Sequence, residues 1–126
     1  MPRATFLRSF VFAWSGLRHA ILTQRNARVH ALLAAIAIAL GIWLRLSPVE
    51  FALVFVAISG VFIAEMFNTV AEALVDLVTD AYHPLARVAK DVAAGAVLLS
   101  AILAVVVGLF VFLPHLWPLL ARELTH

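Results

Sequence analysis

The chain of 126 residues contains no cysteine, so disulfides, thiolate metal sites and cysteine nucleophiles are excluded. Charge is scarce as well: 13% of residues are charged against 65% hydrophobic. That balance is far too apolar for a soluble domain of this size. Glycine and proline number five each, and no low-complexity linker or internal repeat interrupts the chain, which predicts one domain over residues 1–126. Acid is missing altogether before Glu50, whereas Arg3, Arg8, Arg18, Arg25 and Arg28 place five of the nine basic residues before position 30. A basic start can serve nucleic acid, but the hydrophobicity that follows makes anionic lipid the better partner. A secretory signal is disfavoured, because its apolar part would begin only near Ala31 and no A-x-A-like site follows.

What is present is helical periodicity and long apolar runs. Over residues 4–24, Phe6, Phe10, Trp14 (or Ala13), Leu17 and Ile21 recur at three- and four-residue steps, with Arg3, Arg8, Arg18 and His19 mostly off that stripe. Such a helix suits the membrane interface, or simply packing on the rest of the chain. Three spans are predicted after it, over residues 29–46, 51–78 and 92–113. Trp43 and Trp117 fall where interfacial aromatics belong. Pro48 is expected to stop the first span with Glu50 restarting the next, His83-Pro84 reads as a helix stop, and Pro114 is expected to end the third span. The fold class is therefore all-α membrane protein: an N-terminal amphipathic interfacial helix plus three transmembrane helices. Positive-inside reasoning puts the N-terminus and the 79–91 loop, with Arg87 and Lys90, in the cytoplasm, opposite Arg45 and Arg122. Small residues, among them Ser59, Gly60, Ala93, Ala94, Gly95 and Gly108, suit close helix packing. Three helices enclose little volume, so neighbouring copies are expected to wall any polar site.

The second span is unusual. Phe51 to Ala64 carries no charge, and then Glu65, Asn68, Glu72 and Asp76 follow, with Asp80 beyond them. At about 100° per residue, the first four fall within about 80° of arc on one helix face. At ~1.5 Å per residue, Glu65 lies ~21 Å from Phe51, past the midplane, and Glu72 lies ~10 Å lower. Ionisable groups at such depth are expensive and point to function. Lys90 and Asp91 begin the third span at the level of the lower acids, and Arg25, Asn26, Arg28 and His30 approach it from the first. Carboxylates hold hard cations and Lys or Arg holds phosphate, so an anion with a divalent metal suits the place. Asp76–Lys90 or Glu72–Arg28 can equally be a structural ion pair, and Asn68 an interhelical hydrogen bond. Glu65 has no cation near it in sequence, and a carboxylate facing a cleft can serve as a general base. His30 reads as an interface-satisfied histidine, and Ser100 as packing.

Glu65-x-x-Asn68-Thr69-x-x-Glu72-x-x-x-Asp76, followed by Tyr82-His83 and by Ala89-Lys90-Asp91-x-Ala93-Ala94-Gly95-Ala96-Val97-Leu98, resembles the small bacterial integral-membrane lipid kinases, the prokaryotic diacylglycerol kinase and undecaprenol kinase family. The resemblance covers nearly the whole chain. It implies a homotrimer in the bacterial cytoplasmic membrane, with sites between subunits, ATP with Mg²⁺ as phosphoryl donor and a lipid alcohol as acceptor. It implies Glu65 as general base, Glu72 as a metal ligand, and Asn68, Asp76, Lys90 and Asp91 as nucleotide-binding or catalytic residues. Tyr82 and His83 match a loop that approaches the nucleotide. One departure stands out: where the family often has a second metal-binding Glu, this chain has Gln24. An amide can offer a carbonyl oxygen to Mg²⁺ but supplies less charge. No G-x-x-x-x-G-K-[ST] loop and no protein-kinase signature occurs, so side chains would have to hold the nucleotide. Tyr82 to Ala86 and Val92 to Leu98 look more like the undecaprenol kinase branch, with diacylglycerol kinase as the alternative. A channel or proton pathway is the rival of another class, but the outer half of the second and third spans offers only Ser59 and Ser100.

Overall fold

The computed structural model describes residues 5–125; Arg3, Ala4 and His126 lie outside them. Four helices follow in order: α1 (Phe6–Thr23), α2 (Arg25–Trp43), α3 (Pro48–Val78) and α4 (Pro84–Leu124). The last three are long and apolar enough to cross a membrane. At ~1.5 Å per residue, α3 is ~46 Å long and α4 ~62 Å, both beyond the ~30 Å hydrocarbon thickness. Their ends must therefore reach polar surroundings.

Each boundary has a local cause. Gln24 is extended (φ −97°, ψ 117°) and serves both neighbours: its N–H closes α1 on the Ala20 carbonyl at 2.9 Å, and its own carbonyl accepts from Arg28 N at 3.3 Å. Thus α2 begins at Arg25, four residues before the expected start of the first span. Arg25, Asn26 and Arg28 are polar yet compatible with helix, so the helix outruns its apolar part. Ala27, at 2% exposure, packs into the corner so made.

The far end of α2 closes earlier than expected, at Trp43. Leu46 N donates to Gly41 O at 3.0 Å and Arg45 N to Ile42 O at 3.2 Å, the paired bonds of a Schellman turn. Arg45 takes the left-handed position (φ 56°), the one positive φ at a non-glycine among the described residues. An L side chain there costs about 1–2 kcal/mol, which is why glycine is usual. Gly41 makes the turn possible by its missing side chain: a Cβ would come 2.9 Å from Leu46 Cδ1 and 3.0 Å from Phe51 Cε1.

Prolines behave differently from expectation. Pro48 does not stop a helix but opens α3 at its first turn, where its missing N–H has no partner to lose. Ser47 and Glu50 complete a capping box, with Ser47 Oγ accepting from Glu50 N at 3.2 Å and Glu50 Oε2 accepting from Ser47 N at 2.7 Å. Likewise Pro84 starts α4, eight residues before the expected start of the third span, and His83 caps it by accepting from Leu85 N at 3.1 Å on Nδ1. Pro114 and Pro118 sit inside α4, which does not end at residue 113. Proline removes one helical hydrogen bond and bends a helix, and tertiary contacts can hold the chain beyond it. Here Val111 is buried against Leu46 and Val54, and His115 Nε2 lies 2.9 Å from Glu50 Oε1 at the start of α3.

Helix α3 is the spine, packed most extensively against α4, then against α2, and least against α1. The core is small: Leu46, Val54 and Val111 at its centre, with Ala37, Phe51, Ile58 and Phe112 around them. Large apolar side chains such as Phe10, Trp14, Phe67 and Leu103 stay exposed on every helix. Such a surface is matched to lipid or to further copies rather than to water.

Candidate active site

Glu65 is the one buried charged residue among the described residues, at 5% exposure. Its carboxylate Oε1 lies 3.2 Å from His30 Nε2 on α2. Sequence reasoning found no cation near Glu65 and treated His30 as a bystander. The fold makes His30 its side-chain partner across 35 residues of chain. One turn on, Thr69 Oγ1 donates to the Glu65 backbone carbonyl at 3.0 Å, which satisfies the hydroxyl within the helix.

Asn68 does not bridge helices. Its Nδ2 donates to Glu72 Oε1 at 3.1 Å, an i,i+4 bond along α3. Its Oδ1 is buried without a partner. A buried acceptor left open beside a carboxylate is an oxygen pair of the kind that hard divalent cations select. Glu72 is half-buried, and no Glu72–Arg28 ion pair forms among the described residues. Gln24 is half-buried at the α1–α2 corner and makes no side-chain capping bond. Among the described residues of one chain, no three His, Asp or Glu side chains converge as a metal cluster. No hydrogen bond or cavity among the described residues joins Gln24 to Asn68 or Glu72, so a cation beside Glu72 would need donors beyond the Asn68 amide.

Lower on the stripe, Asp76 Oδ1 meets Lys90 Nζ at 2.6 Å, joining the end of α3 to the start of α4. Arg87 Nε lies 3.6 Å from Asp91 Oδ2, both well exposed. An open cavity of about 400 Å³ lies over this region, lined by Asp76, Tyr82, His83, Arg87, Lys90 and Asp91 among others. The fold therefore gathers Asp76, Tyr82, His83, Lys90 and Asp91 at one place. It leaves Glu65, Asn68, Glu72 and Gln24 outside that lining. Arg87 is the cavity residue that sequence reasoning had used only for topology. Its position three before Lys90 on a helix was the available signal.

The chain that carries this stripe of acids has known relatives. Residues 11–112 match the family described as prokaryotic diacylglycerol kinase. The chain belongs to that family. Every residue of the candidate site, from Gln24 to Asp91, lies inside the matched stretch. The undecaprenol kinase of Bacillus subtilis is 43% identical over 88% of this chain and 90% of its own length. A diacylglycerol kinase of Synechocystis is 44% identical over 90% of this chain, which spans 66% of that longer relative. The diacylglycerol kinase of Escherichia coli K12 is 30% identical over 82% of this chain and 85% of its own. As a member of the prokaryotic diacylglycerol kinase family with three helices able to cross a membrane, the protein is an integral-membrane lipid kinase. A channel built on the same stripe is thereby set aside.

Proposed function

We propose that the protein transfers the γ-phosphoryl group of ATP to the primary hydroxyl of undecaprenol, giving undecaprenyl phosphate and ADP. The observation that carries this reading is the pairing of Glu65, buried among apolar helices and held by His30, with an open polar cavity lower on the same bundle that carries Lys90 and Arg87 among aspartates. The likeness to the Bacillus subtilis undecaprenol kinase over most of both chains favours that acceptor. Diacylglycerol, yielding phosphatidic acid, is the second reading, favoured by the Synechocystis relative.

Glu65 takes the proton of the lipid hydroxyl as its oxygen bonds to the γ-phosphorus and the bond to the ADP oxygen breaks. A lipid alcohol places its hydroxyl just below the hydrocarbon, which is why the base sits within the span. His30 holds the carboxylate toward the reacting oxygen. Lys90 and Arg87 supply positive charge to the phosphates, with Asp76 and Asp91 orienting those cations, and Tyr82 and His83 close the cavity against the nucleotide. Mg²⁺ would be held by Glu72, the open Asn68 oxygen and Gln24, and would neutralise phosphate charge when bound. The open flank of the cavity and the uncovered apolar helices support a homotrimer in which neighbouring copies complete each site. The basic residues Arg8, Arg18, Arg25, Arg28, Arg87 and Lys90 support placing α1 and the 79–91 loop in the cytoplasm, with α1 lying in the interface of the bacterial cytoplasmic membrane.

The test is phosphoryl transfer from labelled ATP by the purified protein in detergent, with undecaprenol, diacylglycerol and a sphingoid base offered in parallel. Faster transfer to undecaprenol is expected. Transfer to none of the three would sink the kinase reading, and preference for diacylglycerol would move the assignment to the second acceptor.

A further inference from the structure

The opposite end of the bundle carries a second polar site that the phosphoryl-transfer reading does not use. Arg45 lies in the turn between α2 and α3, and Arg122 lies near the end of α4. Along α3, Arg45 is ~40 Å from the Asp76 level. The two arginines come from elements 77 residues apart, yet both line one cavity of about 370 Å³, with Trp43, Leu44, His115 and Leu119 among its other walls.

Two observations point to an anion there. First, neither arginine is paired: among the described residues the ion pairs use His30, Arg87, Lys90 and His115. Glu50, which contacts the cavity residue His115, is already engaged, since it accepts from Ser47 N at 2.7 Å and meets His115 Nε2 at 2.9 Å. Glu123, next to Arg122 in sequence, does not line the cavity. Second, Arg45 holds the left-handed position of the turn at φ 56°. Glycine would take that position without strain, and an outlier of this kind marks a residue kept for its side chain. Favourable charge at the end of α2 does not explain it, because an arginine inside the last turn would give the same benefit with ordinary backbone.

The walls decide which anion. A soluble phosphate needs no apolar surroundings, but this cavity combines two guanidinium forks with Trp43, Leu44 and Leu119 at the end of membrane-crossing helices. Tryptophan at that level lies between headgroup and acyl chain. Two cations in a lining that contains no acid favour a headgroup of net negative charge over a zwitterionic one, whose ammonium would be repelled. We propose that Arg45 and Arg122 clamp the phosphodiester of an anionic glycerophospholipid, with Trp43 against the glycerol end of its chains. The bound lipid ties the α2–α3 turn to the segment of α4 beyond Pro114.

Thermal unfolding of the full-length protein in vesicles of phosphatidylglycerol and of phosphatidylcholine tests this. For the wild type, phosphatidylglycerol should raise Tm by about 4 °C or more over phosphatidylcholine. Arg122→Gln, on regular helix, should lose at least half of that difference. Arg45→Gly should be more stable than the wild type in phosphatidylcholine, because the turn relaxes, and still lose the gain from phosphatidylglycerol. The arginines of α1 respond equally in all three proteins, so only the difference between variants reports the clamp. A full phosphatidylglycerol gain in both variants would overturn the proposal. Recovery of the wild-type gain by inorganic phosphate in phosphatidylcholine vesicles would assign the site to a soluble anion and overturn the lipid.

Discussion

Replacing His30 with leucine removes the one side-chain partner that the Glu65 carboxylate has among the described residues, while leaving its surroundings apolar. The carboxylate is 5% exposed, so water does not readily replace the lost 3.2 Å contact. A hydrogen bond to a charged group contributes about 1.5–3 kcal/mol. If that energy holds the base toward the acceptor hydroxyl, its loss appears in the chemical step. At about 1.4 kcal/mol per tenfold, kcat should fall by about tenfold to a hundredfold. The KM for ATP should stay near the wild-type value, because the polar cavity at Asp76 and Lys90 is untouched. His30→Gln keeps an N–H donor and should recover much of the rate. The assay is initial-rate phosphoryl transfer with lipid and ATP varied separately, with Tm measured on the same preparations. A His30→Leu enzyme turning over within twofold of wild type would refute the positioning role. A drop in Tm with no change in kcat would make His30 a packing residue only.

Glu65→Gln, nearly the same size and uncharged, should nearly abolish turnover yet leave the oligomer intact by size-exclusion chromatography; substantial residual turnover would remove Glu65 as the base. Gln24→Glu should keep or raise activity and lower the Mg²⁺ concentration for half-maximal rate, and a large loss of transfer would rule out Gln24 as a stand-in metal ligand. Gly41→Val should destabilise by about 1–3 kcal/mol through overpacking against Leu46 and Phe51, read as a lower Tm, whereas Gly60→Ala, where an added Cβ meets nothing, should change little.

The helical stripe was legible from the sequence because spacing at three and four residues survives any tertiary arrangement. Glu65, Asn68, Glu72 and Asp76 needed only the 100° rotation to be placed on one face. The partners were harder, since they are set by which helix lies beside which. His30 is 35 residues from Glu65, and nothing local to either residue announces the pair. Lys90 was easier, because a short loop returns the chain to the level of Asp76. Prolines misled for a related reason: position within a helix decides what a proline does. Pro48 and Pro84 occupy first turns that ask for no N–H, and Pro114 is carried through because Val111 and His115 are anchored on either side of it. The turn at Arg45 was hidden because its left-handed residue is neither glycine nor asparagine.

The site's polar groups are graded by burial along one helix face, and that gradient argues for two substrates of opposite character. Glu65 is buried, Asn68 and Glu72 are half-buried, and Asp76 is exposed. A metal-and-nucleotide site alone would gain nothing from a carboxylate two turns deeper, where desolvation makes its charge costly. A lipid-binding site alone would not need Asp76, Lys90, Arg87 and Asp91 gathered over open water. Both are required when the acceptor oxygen cannot leave the membrane and the donor phosphate cannot enter it. The ~10 Å of helix between Glu65 and Glu72 is then spanned by the triphosphate and the headgroup hydroxyl meeting between them. On this reading an acceptor hydroxyl held on a longer polar stalk would bypass Glu65. Adding a short ethylene-glycol spacer between the isoprenoid chain and its hydroxyl should lower the rate, and should lessen the further loss caused by Glu65→Gln. An undiminished effect of Glu65→Gln on the spaced substrate would show that depth is not what places the base.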